Sequence, residues 1–481
     1  LASGSEPLGQ EAKAVLAAVK TGTIAAKQIA VWRDFKDTNK ARGVLVRDGR
    51  IVELALAGAK VRKVDLSSLS ALQKVDLSDN ALTSAEGLGG LPKLRELDLS
   101  NNKLTSLAGL DDLPALERLR LLNNPLKSTA GAKKLPKLRH LPLESFELEV
   151  LDLDDVGIES LTLEEGLLRS VRLRKVPIKE LVLRKNSIER FEASEMPELK
   201  LIDLRSNKLS ALKLRKLPKL EILDLRRNRL KTLSSLQSLS KLEIIDARHN
   251  AIASLEGLDR MPALRTLRLD DNKLESLRGA SKLLRLRTLT VTNNALASLE
   301  GNDALVAVED LDVGHNKLVS LAGVERTTKL RRLHVAHNGL KNLAGVDKLQ
   351  NLSELNAAHN KLEEAPQVLG SQKTPRPARI IAFDVRHNKI TSVSAGLLSY
   401  GIYRLWKAPA YATKAGYRVL PGFSAFRPPA DPVARPRRRR RRYYGRTRRY
   451  RGRRRRRRIR IPVIRYRTSR YRRGGGYRYG K

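Results

Sequence analysis

Apolar residues in this chain keep a short, strict frame. VDLSDNAL at 75 to 82, LDLSNNKL at 97 to 104, LDLRRNRL at 223 to 230, LRLDDNKL at 267 to 274 and LHVAHNGL at 333 to 340 all read L-x-L-x-x-N-x-L. The Asn recurs as Asn80, Asn102, Asn124, Asn186, Asn207, Asn228, Asn250, Asn272, Asn294, Asn316, Asn338, Asn360 and Asn388, in slots 20 to 22 residues apart before a last step of 28, with two slots between Asn124 and Asn186 that lack it. Phe146 and Gly166 fill two slots without Asn, and Ala59 fits one slot earlier, so the spacing predicts sixteen turns of a solenoid. Each turn is expected to lay one short strand parallel to the next at about 4.8 Å, with its leucines inward. An inward Asn carries two donors and an acceptor and suits the backbone groups stranded where the chain bends, which predicts a buried amide ladder. Return segments such as LTSLAGLDDLPAL, 104 to 116, and IASLEGLDRMPAL, 252 to 264, suit loops or 3₁₀ turns on the opposite side.

One stretch departs from this period. Leu141, Leu151, Leu161, Val171, Leu181 and Phe191 recur every ten residues, half a repeat, which predicts strands on both limbs of those turns. Such a stretch is either a hinge or recognition patch, or a shorter repeat that changes curvature.

The repeat L-x-x-L-x-L-x-x-N-x-L-x-x-L-x-G-L resembles the 22-residue leucine-rich repeat of bacterial internalins and of eukaryotic protein phosphatase regulators. The resemblance implies an α/β solenoid, a leucine-rich-repeat horseshoe with a parallel concave sheet, over residues 50–395. Residues 1–56 resemble the amino-terminal cap of such proteins, with a helical EAKAVLAAVK, Trp32 and a hairpin turn at Asp48-Gly49. Caps of this kind often carry a cysteine pair, and this chain has no cysteine.

Charge divides the chain again. From Pro432 to Lys481 stand 24 Arg and one Lys with no acidic residue, more than half of the formal +44, and all eleven tyrosines lie at or after Tyr400. Residues 396–434 are rich in aromatics and proline and are expected to close the solenoid end and lead into a tail, 435–481, that has nothing to bury and is expected to be disordered. The tail residues expected to bind a polyanion are Arg437, Arg438, Arg439, Arg440, Arg441, Arg442, Tyr443, Tyr444, Arg448, Arg449, Tyr450, Arg453, Arg454, Arg455, Arg456, Arg457, Arg458, Arg465, Tyr466, Arg472 and Arg473. Guanidinium groups bond phosphate oxygens in pairs and lie flat on bases, and interleaved tyrosines offer stacking faces. The tail resembles protamines, the basic arms of viral capsid proteins and RGG-type segments in composition, which implies nonspecific binding to DNA or RNA. The alternative is a protein-binding scaffold tethered to an anionic membrane, envelope or polysaccharide surface.

On the concave face, side chains between the leucines alternate in sign. Asp203, Asp224 and Asp246 stand beside Arg205, Arg226 and Arg248 in successive turns, so these are candidate contacts for a charged protein partner. His315, His337, His359 and His387 occupy consecutive turns just before the ladder Asn. That row is a metal site, a pH-sensitive edge or simple repetition. No G-x-S-x-G or H-E-x-x-H occurs, and GGYRYGK at 475 to 481 lacks the Ser or Thr, strand and helix of a phosphate loop. A non-catalytic protein without cofactor is therefore expected. No apolar run approaches the ~18 residues that span a bilayer. The first residue, Leu1, suggests a removed leader or a trimmed chain, so the tail points to a nucleic-acid-associated intracellular or virion compartment, or to an envelope or extracellular one if a leader was removed.

Overall fold

A computed structural model describes residues 30–32, 42–47, 50–143, 147–280, 282–299, 301, 305–364 and 382–391. The chain divides into two compact units, Leu1–Val419 and Leu420–Lys481, and the second lies wholly outside the described residues. So do the predicted segment 396–434 and the tail 435–481.

The first unit is a parallel β-solenoid. Strands β1 (Ala30–Trp32), β2 (Arg42–Arg47), β3 (Arg50–Leu56), β4 (Lys74–Asp76), β5 (Glu96–Asp98) and β6 (Arg118–Arg120) form one sheet in that order. Within it, β2 and β3 pair antiparallel as the hairpin reading requires, while Asp48, Gly49 and the segment expected to be helical lie outside the described residues. A second sheet takes β7 (Lys133–Leu135), β8 (Val150–Val156), β10 (Ser170–Arg174), β12 (Arg190–Ser194) and β14 (Lys213–Arg215).

A third sheet begins with β9 (Leu161–Thr162), β11 (Glu180–Val182), β13 (Leu201–Asp203), β15 (Ile222–Asp224) and β16 (Ile244–Asp246). It continues through β17 (Thr266–Arg268), β18 (Thr288–Thr290), β19 (Asp310–Asp312), β20 (Arg332–His334), β21 (Glu354–Asn356) and β22 (Ala382–Asp384). The ten-residue spacing thus marks turns with strands on both limbs: β8, β10 and β12 alternate along the chain with β9 and β11.

Two expectations are corrected. Among the described residues there is no α-helix, only 3₁₀ turns at Ser234–Leu236, Leu258–Arg260, Val324–Arg326 and Val346–Lys348, so the solenoid is a β structure rather than α/β. Return segments of about ten residues with a leucine every third position are too short for an α-helix and fit the tighter turn. The solenoid has about 13 turns, not sixteen. Of the slots without Asn, those at Ala59 and Gly166 still follow paired strands, β3 and β9, and Phe146 lies outside the described residues.

One core runs through the stacked turns. Paired strand leucines such as Leu97 and Leu99 are 2% and 0% exposed, and return-limb leucines such as Leu104, Leu107 and Leu110 fill the other side. Each such side chain, fully buried, stabilises the fold by about 1.5–3 kcal/mol. Gly109 sets the spacing between return limbs: its φ is +93°, and a Cβ there would stand 2.5 Å from the Ala85 carbonyl oxygen of the previous turn.

All thirteen ladder asparagines bond the backbone, and four of them, Asn102, Asn186, Asn207 and Asn360, are buried. In Asn102, Oδ1 accepts from the Leu82 N–H at 2.9 Å, and Nδ2 donates to the carbonyls of Leu77 at 2.9 Å and Leu99 at 3.0 Å. One amide therefore satisfies backbone groups of its own turn and of the turn before. Where the Asn is missing, a residue that the frame does not single out stands in on the other limb. Thr129, fully buried, accepts from the Asp152 N–H at 2.7 Å and donates to the Asp152 carbonyl at 2.9 Å.

Candidate functional site

The sheet register brings Asp203, Asp224, Asp246, Arg268, Thr290, Asp312, His334, Asn356 and Asp384 into one column. The acidic members have a local task. Each aspartate accepts from the backbone N–H two residues on, at 3.2 Å in Asp203 and Asp224, 3.5 Å in Asp246, 3.1 Å in Asp312 and 3.1 Å in Asp384. That is the side-chain turn that Asp and Asn favour, and Asn356 makes the same bond to Ala358 at 3.1 Å.

Strand alternation predicts that these carboxylates point outward into solvent, and the structure corrects this. Asp203, Asp224 and Asp246 are only 7%, 9% and 5% exposed. The arginine two residues on folds back over each. Arg226 Nε donates to Asp224 Oδ1 at 2.9 Å, Arg248 Nε and Nη2 donate to the two oxygens of Asp246 at 2.9 Å each, and Arg205 Nε lies 3.4 Å from Asp203 Oδ2. Neighbouring turns cross-link the row, since Arg226 Nε also lies 3.5 Å and Arg268 Nη1 3.7 Å from Asp246 Oδ2. What reaches solvent is a band of half-buried guanidinium groups rather than alternating free charges. Burial, then the neighbouring Asp224, pushes the Asp203 carboxyl up. Hydrogen bonding to Asp224 raises Arg226 and hydrogen bonding to Asp246 raises Arg248, so both stay charged. Arg386 repeats the fork on Asp384 at 3.0 and 2.7 Å; burial pushes that carboxyl up, but the bonds from Arg386 outweigh it and hold it below the ordinary range.

Removing the Arg226 arm leaves buried Asp224 without its fork and takes one of three arginines from Asp246. Arg226→Ala is expected to destabilise the protein by about 3 kcal/mol, because Asp224 and Asp246 lose a shared partner. The double variant Asp224→Thr/Arg226→Thr copies Thr290 and Thr292 in the same columns and is expected to recover most of the loss. Urea midpoints of both variants check this.

Nearer the start of the solenoid the charges pair across turns. Arg118 Nη1 is 2.6 Å from Glu96 Oε1, and Arg120 Nη1 is 3.1 Å from Asp98 Oδ2. The same holds in the ten-residue stretch, with Arg174 on Asp154 at 2.8 Å and Arg184 on Glu164 at 2.7 Å. The pairs of Arg118 and Arg120, whose guanidinium groups are exposed, contribute roughly 0–1 kcal/mol each.

The histidine row has a backbone cause that spacing alone did not reveal. The residue before each ladder Asn adopts positive φ: 52° at His315, 56° at His337, 53° at His359 and 58° at His387. Asn, Asp and His tolerate that conformation best, and Asp79, Asn101, Asn123, Asp271 and Asn293 occupy the same column, although Lys185, Ser206 and Arg227 also hold it, at φ of 59°, 58° and 55°. The four imidazoles stack with centroids 4.0, 4.1 and 4.1 Å apart and ring planes within 15°. Parallel rings direct their in-plane lone pairs side by side, so they do not converge on one ion. No group of three or more metal-ligating side chains occurs among the described residues.

His334 behaves differently. Its Nδ1 lies 3.5 Å from Asp312 Oδ2, and hydrogen bonding to that carboxylate raises its pKa. A raised histidine stabilises the fold below its unfolded pKa, and the gain is lost as pH rises through the folded value. His334→Gln is therefore expected to lower the melting temperature by about 1 °C near pH 5.5 and to leave it unchanged near pH 8.5. Paired thermal melts at the two pH values check it.

Comparison with known proteins agrees with the ladder. A family model described as two copies of leucine-rich repeats matches residues 70–112, and one described as a leucine-rich repeat matches residues 197–252. These two stretches of the parallel β-solenoid carry leucine-rich repeats. Among solved structures it is similar to an internalin, InlF, from Listeria monocytogenes, with 20% identity over 71% of this chain and 86% of that one and a TM-score of 0.35. A leucine-rich-repeat protein of Leptospira interrogans is 24% identical over 61% of this chain and 80% of its own, with a TM-score of 0.39. YopM from Yersinia enterocolitica is 22% identical over 71% of this chain and 88% of its own, with a TM-score of 0.33. No curated protein matches by sequence. No helix among the described residues is long and apolar enough to cross a membrane.

Proposed function

We propose that this protein is a non-catalytic adaptor whose solenoid binds a protein and whose arginine-rich tail binds nucleic acid without sequence preference. The repeat class is widely used for protein contacts, and here it offers a rigid polar surface on which buried Asp–Arg forks fix the guanidinium groups in place. The observation that carries the nucleic-acid half is the run of 24 Arg and one Lys, with no Asp or Glu, from Pro432 to Lys481. So dense a cationic segment draws in counter-charge, and phosphate is the anion that guanidinium forks fit best. The experiment is a comparison of the full chain with a chain ending at residue 431 for binding to oligonucleotides, anionic liposomes and an acidic polysaccharide. Tail-dependent binding led by the oligonucleotide supports the reading; equal affinity with and without the tail overturns it.

A further inference from the structure

The imidazole row is set apart from His249 and His334 by what surrounds it. His249 Nδ1 lies 3.1 Å from Asp271 Oδ2, and His334 faces Asp312, so each has a carboxylate partner. His315, His337, His359 and His387 make no ion pair among the described residues, and all four are exposed. The carboxylate that acts on the row is Asp384, on β22, and its charge is taken up by Arg386 beside it. Two residues beyond three of these histidines stand the exposed Lys317, Lys361 and Lys389. Directly before three of them stand Gly314, Ala336 and Ala358, so no long side chain of those positions covers the row.

We infer that this edge is a second contact for the nucleic-acid backbone, one that engages as the row takes up protons. The inference rests on the nucleic-acid reading of the tail. Four imidazoles in line at 4.0 to 4.1 Å gather their ring N–H groups into one narrow row along the edge. Protonating neighbours in such a stack brings like charges together, so without a counter-ion the row resists full charging. Burial first, and the adjoining imidazoles next, hold His337 below the ordinary histidine range, and burial followed by His387 does the same at His359. A strand of phosphates laid along the row removes that repulsion. Binding then carries protons with it, and affinity rises as pH falls through the histidine range. Arginine and the phosphodiester do not titrate in this window, so the tail adds affinity without adding pH dependence.

The test uses the full chain and its variant His315→Asn/His337→Asn/His359→Asn/His387→Asn. Asparagine already fills this column at Asn101, Asn123 and Asn293, so the backbone conformation is kept. Affinity for an oligothymidylate of about 20 nucleotides is measured at about pH 8 and about pH 5.5 in constant salt, with melting temperatures under the same conditions. The expected result is an affinity gain of about tenfold or more on acidification for the native protein and less than about threefold for the variant, with both folded throughout. Equal gains in the two proteins, with salt-sensitive binding intact, overturn the inference and leave the tail reading standing. No salt-sensitive binding at either pH overturns both.

Discussion

Ending the chain at residue 431 is expected to lower affinity for duplex DNA in about 50 mM salt by roughly 1,000-fold or more, and to flatten its salt dependence. The argument is one of counterions. If about a dozen of the tail arginines meet phosphates, log K falls against log salt with a slope near −11 on duplex and near −8 on a single strand. The shortened chain keeps 70 basic and 51 acidic residues, and many of these are already engaged with one another in cross-turn pairs and forks. Its residual slope should be that of a few contacts. Titrations at several salt concentrations measure both slopes, and a shortened chain that keeps the steep one contradicts the assignment of phosphate contacts to the tail.

The second large effect is structural. Asn102→Ala removes an acceptor for Leu82 N–H and a donor to the carbonyls of Leu77, Leu99 and Ser100 at a site only 6% exposed. Each buried group left without a partner costs about 1–3 kcal/mol, so a total near 4 kcal/mol is expected. In a solenoid each turn touches only its neighbours, so the loss weakens the interface between adjacent turns more than the distant ones. Urea unfolding followed by hydrogen exchange should show turns around Leu77 to Leu104 opening at lower denaturant while those beyond Asn250 keep their native protection. Uniform loss of protection along the whole solenoid contradicts a nearest-neighbour ladder.

The repeat was legible because the ladder asparagine and its flanking leucines answer to one physical demand, a bent backbone with unsatisfied polar groups over an apolar core. The same logic read the ten-residue stretch correctly as strands on both limbs. Alternation told which side Asp224 faces, but not that Arg226 folds back over it, since that depends on a contact between residues of one turn and the charge of the next. The histidine column was visible as a repetition; its cause was hidden in a backbone angle. The clue lay in the company it keeps, since Asn101, Asn123, Asp271 and Asn293 share the position. For the tail, charge density was legible and the partner was not, because composition specifies the sign and spacing of a ligand's charge without its identity.

The changeover between sheets gives the molecule the character of a lap joint. Strand pairing on the first limb stops at β6, is taken over on the opposite limb by β7 and β8, and resumes beside β9, so that from β8 to β14 two ribbons run side by side. Among the described residues the approach to that overlap carries the isolated bridges Asp111–Lys133 and Ser128–Val150, together with backbone bonds such as Lys127 N–H to the Thr105 carbonyl and Glu149 N–H to the Lys127 carbonyl. Under tension along its length, the overlapped stretch shares the load between two sets of backbone bonds.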